Sequence, residues 1–167
     1  MGEDKPIKRG PGPLRTSIYI ILFLIIAAVV YFDWFSPWYY GRQAKVVVTK
    51  VFHSKIVEYI SKELQKCKLG ESKIMEDKLS CFSITPVKAI SAVVDVNKID
   101  EYFELNKQKN PYNKKAKIIR ISSSNTNDED VGYISLGTSG SNIIIKSCNK
   151  TPCNKEANRQ SRTVSIE

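Results

Sequence analysis

IYIILFLIIAAVVYF, residues 18–32, is the stretch on which the reading of this chain turns. No charged side chain occurs between Arg15 and Asp33, and a helix drawn through the run is apolar on all faces, not along one stripe. Crossing a bilayer takes about 20 such residues. The run continues into Trp34, Phe35, Trp38, Tyr39 and Tyr40, rings of the kind that settle at the headgroup level, so residues 16–40 are expected to cross a membrane with an aromatic belt at one end. Ile18, Phe23, Phe32, Trp34, Trp38, Tyr39 and Tyr40 are the anchor in this reading. A helix buried in a protein core is the alternative, but it leaves the crowd of aromatics beside the run unexplained.

Lys5, Lys8, Arg9 and Arg15 precede the apolar run, as they would in a cleaved signal peptide. Where small residues should mark a cleavage site, however, the chain has Val29, Val30, Tyr31, Phe32, Asp33 and Trp34, so a retained signal anchor is expected. Arg42, Lys45, Lys50 and Lys55 balance the basic residues of the tail, and counting positive charges does not set the orientation. A short basic tail tends to stay inside while a long domain is translocated largely regardless of its charge. The expected organisation is a cytoplasmic tail, 1–15, a single transmembrane helix, 16–40, and a periplasmic or extracellular domain, 41–167. A chain of 167 residues has room for that anchor and one modest core.

All four cysteines, Cys67, Cys81, Cys148 and Cys153, follow the apolar run, and an even number in a small exported domain points to two disulfides. Three pairings exist; the sequence-local one closes a loop after a helix and a tight loop near the C-terminus. Zinc is the competing use, but only Cys148 and Cys153 approach the spacing of a zinc-ligand pair. His53 is the one histidine, and its neighbours Val51, Phe52 and Ile56 make it a helix-face residue.

Beyond Gly41 the period becomes that of an amphipathic helix. Val47, Val48, Val51, Phe52, Ile56, Tyr59, Ile60 and Leu64 recur three and four apart, and within this stripe Val48, Phe52, Ile56, Ile60 and Leu64 are the expected packing residues. The helix is expected to continue the membrane span as one rod bent near Pro37 and to stop near Gly70. A loop, 69–83, follows. Thr85 and Pro86 look like the cap and first residue of a second helix, with Ile90, Val93 and Val94 on its apolar face. Residues 97–105 continue that helix or form a separate turn, and Asn110, Pro111, Tyr112 and Asn113 make a turn. Residues 116–122, 131–137, 142–148 and 162–166 read as four short strands, and 122–130 as a mobile polar loop. The fold class is therefore α+β: an N-terminal transmembrane helix extended into a long amphipathic helix packed on a small antiparallel β-sheet.

This order of elements resembles type IV pilins and pseudopilins. The resemblance covers nearly the whole chain in order and little of it in motif. It implies that residues 18–32 hold the subunit in the inner membrane and pack in a filament core, that Pro37 acts like the helix-kinking prolines of pilins, and that Cys148 with Cys153 closes a C-terminal loop. Asn110-Pro111-Tyr112 is similar to a triplet found before the sheet in some pseudopilins. Two parts of the family's pattern are missing: Gly10 and Gly12 do not end a standard leader, and no Glu occurs from Lys5 to Tyr40.

Catalysis is not expected, because a nucleophile, base and orienting acid are hard to assemble around one histidine. Gly137-Thr138-Ser139-Gly140 lies between strands and reads as a hairpin turn, not a phosphate loop. Asp128, Glu129 and Asp130 match no calcium-loop spacing and read as a solvated loop. Asn149-Lys150-Thr151 fits the glycosylation pattern, a triplet that is common by chance. The net charge of +9 is spread along the chain and reads as solubility; with no helix-turn-helix or RNA-binding signature, nucleic acid is not an expected partner. The expected role is a pilin- or pseudopilin-like subunit of a filament or secretion apparatus, with a membrane and protein subunits, up to a homo-oligomeric filament, as partners and no cofactor or metal. The rival classes are a single-pass accessory subunit of a membrane complex and an anchored extracytoplasmic binding module.

Overall fold

The computed structural model describes residues 13–32, 36–100 and 103–166, and within them the chain is α+β, with three α-helices and three small sheets. Helices α1 (Pro13–Val30) and α2 (Ser36–Lys68) are separate elements, with Tyr31 and Phe32 in a π-helical turn after the first. Whether they form the one rod, bent near Pro37, that is expected over residues 18–67 turns on residues 33–35, which lie outside the described residues. Pro37 is the second residue of α2 as described, a position that its fixed φ suits. Contacts divide the chain into two compact units, Met1–Arg42 and Gln43–Glu167.

Within the second unit, α2 stops where expected. Gly70 takes a left-handed φ of +94°, its N–H donates to the Cys67 carbonyl at 3.1 Å, and the Glu71 N–H reaches back to the Lys66 carbonyl at 3.2 Å. The expected plain loop after it contains a hairpin, β1 (Lys73–Ile74) with β2 (Leu79–Ser80). Its turn places Met75, Glu76 and Asp77 at φ of 55°, 56° and 64°, a left-handed run that non-glycine residues rarely adopt. Two carboxylates hold it. The buried Glu63 of α2 accepts from the Met75 N–H, and Glu76 accepts from the Asn97 N–H at 3.2 Å and the Lys98 N–H at 3.0 Å, which keep its pKa below the usual carboxylate range.

Helix α3 (Pro86–Asp95) begins as its sequence foretells: the Thr85 hydroxyl accepts from the Lys88 N–H at 3.3 Å and Pro86 is the first helical residue. Its Ala89, Ile90, Ala92 and Val93 are buried, and the helix packs on the main sheet. After it the chain forms a small hairpin, β3 (Lys98–Asp100) with β4 (Phe103–Glu104), rather than more helix. The main sheet has the order β5 (Ile119–Ile121), β6 (Ile134–Ser139), β7 (Asn142–Cys148), β8 (Arg159–Ser165).

The sheet is mixed, which corrects the expectation of an antiparallel one. β6, β7 and β8 are antiparallel neighbours, but β5 runs parallel to β6 with Ile119 beside Ile134. Parallel neighbours need a crossover of about a dozen residues, and the segment between β5 and β6 is of that length. That segment, expected to be mobile, is instead anchored. Asn127 and Asp130 form a reciprocal capping box around a 3-10 turn, and the buried Asp130 carboxylate pairs with Arg120 of β5, whose guanidinium lies 4.6 Å from the centre of the Tyr133 ring. At the other end of β6, Gly140 at φ +60° makes the expected hairpin turn to β7. Alternate residues of the sheet, Ile134, Leu136, Ile143 and Ile145, share one core with Ile90 and Val93 of α3 and Ile56 and Ile60 of α2.

Candidate anchor and interaction surfaces

Helix α1 shows no preferred face. Every large apolar side chain from Ile18 to Phe32 is exposed, Phe23 and Phe32 among the most, as periodicity without a polar side would produce. Among the described residues no helix is long and apolar enough to cross a membrane. Trp34 lies outside the described residues, as do the side chains of Trp38, Tyr39 and Tyr40, so that part of the expected anchor has no structural account.

The expected packing stripe of α2 divides. Phe52, Ile56, Ile60 and Leu64 are buried in the core. Val48 is not: it is 38 % exposed, beside Val47 at 56 % and Val51 at 47 %. With the exposed Ala44 these valines follow the i, i+3, i+4, i+7 spacing of one helix ridge, about 180° around α2 from the row that runs through Thr49, His53, Ile56, Ile60 and Glu63. The buried row therefore includes three polar residues that a search for apolar types passes over. Thr49 satisfies itself by donating to the Lys45 carbonyl at 2.9 Å, and Glu63 by holding Met75 and Lys66. His53 is different. It is buried, neither ring nitrogen has a hydrogen-bond partner among the described residues, and its pKa falls to about 4, chiefly from burial and then from the nearby positive charge of Arg162. A ring held neutral in this way contributes to packing.

Both cysteine pairs are the sequence-local ones. Cys67–Cys81, with Cα atoms 5.4 Å apart, ties the end of α2 to the base of the β1–β2 hairpin, and Cys148–Cys153, at 5.6 Å, closes a loop after β7 that contains the cis Thr151–Pro152 peptide. Among the described residues no group of His, Cys, Asp and Glu is arranged to hold a metal. The Asp128-Glu129-Asp130 run has structural uses instead of full solvation: Asp130 pairs with Arg120, and Asp128 accepts from the Cys153 N–H at 2.7 Å. Asn149 is buried, with its side-chain oxygen accepting from Ser147 at 3.3 Å, so the glycosylation triplet is inaccessible in the folded domain.

Asn110-Pro111-Tyr112 is a structural lock. The buried Asn110 accepts from the Tyr112 and Asn113 N–H groups at 2.7 and 3.2 Å and donates to the Val131 carbonyl at 2.9 Å, while the Tyr112 hydroxyl donates to the Asn149 carbonyl at 2.6 Å. Gly132, at φ +79°, passes so close that a Cβ there would lie 2.3 Å from the Asn110 side-chain oxygen. The Lys45 ammonium of α2 lies 5.3 Å from the centre of the Tyr112 ring.

No family model matches the sequence, and comparison with curated proteins and with solved structures yields no match.

Proposed function

We propose that the chain is a membrane-anchored structural or interaction protein, a pilin- or pseudopilin-like subunit whose partners are further copies of itself. In this reading residues 16–40 pass once through the membrane, with the N-terminus cytoplasmic and the disulfide-bonded domain periplasmic or extracellular. The observation that carries it is the exposure of every large apolar side chain along residues 18–32. A contiguous apolar patch of this kind on a lone chain marks a surface that something else covers, because each Å² left in water costs about 25 cal/mol. The described apolar stretch is shorter than a bilayer, and the aromatic segment through Tyr40 supplies the remaining length in this reading. The ridge Ala44, Val47, Val48 and Val51 is a second uncovered apolar surface, on the first turns after the span. Copies anchored in one membrane present this ridge in the same orientation and at high effective concentration, which favours parallel helix pairing between them.

The lack of a Glu from Lys5 to Tyr40 favours a second reading, a single-pass accessory subunit whose ridge meets a different membrane protein. Anchoring itself is tested by alkaline carbonate extraction of membranes from cells making the full chain. The wild type is expected to stay with the lipid pellet, and the double substitution Leu22→Arg with Ile26→Arg to release most of it, since a charge at mid-bilayer costs about 3 kcal/mol. Extraction of the wild type into the supernatant would remove both readings.

A further inference from the structure

The main sheet ends on β8, and the far edge of that strand is open. The Asn149 N–H donates to the Asn158 carbonyl at 2.8 Å and the Ile166 N–H to the Ser141 carbonyl at 3.2 Å, each one step beyond an end of the β7–β8 ladder and in its register. Bonded and unbonded pairs alternate along an antiparallel ladder, so Gln160, Arg162 and Val164 bond to β7, while Arg159, Ser161, Thr163 and Ser165 turn their backbone groups outward. The Arg159 N–H donates to the Glu156 carbonyl. The other outward N–H and C=O groups have no backbone partner among the described residues, and Ser161, Thr163 and Ser165 are exposed. At seven residues β8 is longer than the opposite edge strand β5, which has three, and its register with β7 runs without a bulge. It contains no proline. Of the devices that keep an edge strand from pairing, β8 has only charge.

That charge selects the partner. Arg162, opposite the buried Ile145, stands on the core side of the sheet, and Arg159 stands on the other side with Ser161 and Lys146. Neither arginine forms an ion pair with a described residue. A second copy of β8 laid antiparallel over the whole edge would set Arg162 against Arg162, and like charges directly opposite are destabilising. A small anion would leave the outward N–H and C=O groups unused, because they recur at every second residue and match an extended peptide backbone. We propose that β8 takes up an extended acidic segment of a partner protein as one more strand of the sheet, with carboxylates three residues apart, on opposite faces, beside Arg159 and Arg162. Backbone bonds to Ser161, Thr163 and Ser165 supply the affinity and the two arginines the selectivity. The edge belongs to the disulfide-bonded domain, and the proposal does not rest on how the chain is anchored.

The test titrates the isotope-labelled full chain, in uncharged detergent micelles, with a short synthetic peptide of valine and threonine that carries two glutamates three residues apart. The same peptide with lysines in place of the glutamates is the comparator, and amide chemical shifts and hydrogen exchange are the readouts. Saturable binding of the acidic peptide is expected, with the Ser161, Thr163 and Ser165 amides becoming protected while those of Gln160 and Arg162, already in the ladder, change little. Arg159→Gln combined with Arg162→Gln should weaken binding about tenfold, through the loss of two cross-strand ion pairs. Thr163→Pro removes an outward N–H and none that bonds to β7, and should abolish binding with thermal unfolding unchanged. If that variant does not fold, the double arginine substitution decides. The proposal is overturned if the acidic peptide does not bind, if the lysine peptide binds as well, or if binding leaves the three outward amides unprotected, which is charge attraction without strand addition. Protection of those amides in the absence of peptide that disappears on dilution would assign the edge to a second copy and would overturn it equally.

Discussion

The two apolar rows of α2 contain similar residues and meet opposite fates. Phe52, Ile56, Ile60 and Leu64 are sealed against α3 and the sheet, while Val47, Val48 and Val51 on the other side remain in contact with solvent. The difference is not one of hydrophobicity. The buried row admits Thr49, His53 and Glu63 because geometry places them there, and each is accommodated by a local bond or, for His53, by staying neutral. The exposed row is wholly apolar only over residues 44–51, and farther along the same face carries Lys55, Glu58 and Lys62, so its apolar part is a short patch of the kind that a partner covers.

Five substitutions or conditions separate the rows, followed by denaturant unfolding of the full chain in micelles. Ile56→Ala empties a fully buried site and is expected to cost about 4 kcal/mol, whereas Val51→Ala on the exposed row should change stability by about 0.5 kcal/mol or less. Replacing both Cys67 and Cys81 by Ser frees a 14-residue separation at the end of the buried row and should cost about 3 kcal/mol. Acid should act through His53. The unfolded ring takes its proton near pH 6.5 and the folded ring only near 4, so the stability from a neutral His53 is whole above pH 6.5 and is lost as pH falls toward 4, up to roughly 3 kcal/mol. Acid protonates carboxylates as well, so the measurable quantity is the difference from His53→Leu, whose unfolding free energy should fall less steeply between those pH values. An equal slope in both proteins would mean that the ring is hydrated or partnered in the folded chain. Within the buried row the smallest effect is expected from Thr49→Val, about 1 kcal/mol, since its hydroxyl bonds only to its own helix.

Much of the domain is legible in the sequence because it is local. The Thr85-Pro86 start, the Gly70 stop, the Gly140 turn and the type of the helices and of the four main-sheet strands follow from side chains that act on their own neighbours. What fails is long-range. Nothing near Ile119 shows that β5 will run parallel to β6, since that depends on Asp130 finding Arg120 across ten residues. Nothing in the 3.6-residue period of α2 shows which of two apolar ridges meets the sheet, and the stripe from Val47 to Leu64 merges both. The β1–β2 hairpin is hidden for a related reason: its left-handed turn at Met75, Glu76 and Asp77 contains no glycine and is held by Glu63 on another element.

The exposed row of α2 is tested most directly by photo-crosslinking in native membranes, with a benzoyl-phenylalanine placed at position 48 and, as a control on the same helix, at the exposed position 62. An adduct of two copies of the chain from position 48 and none from position 62 is predicted. An adduct with one different protein would transfer the ridge to the accessory-subunit reading, and equal labelling from both positions, or labelling of lipid alone, would contradict the claim that this row is a protein interface.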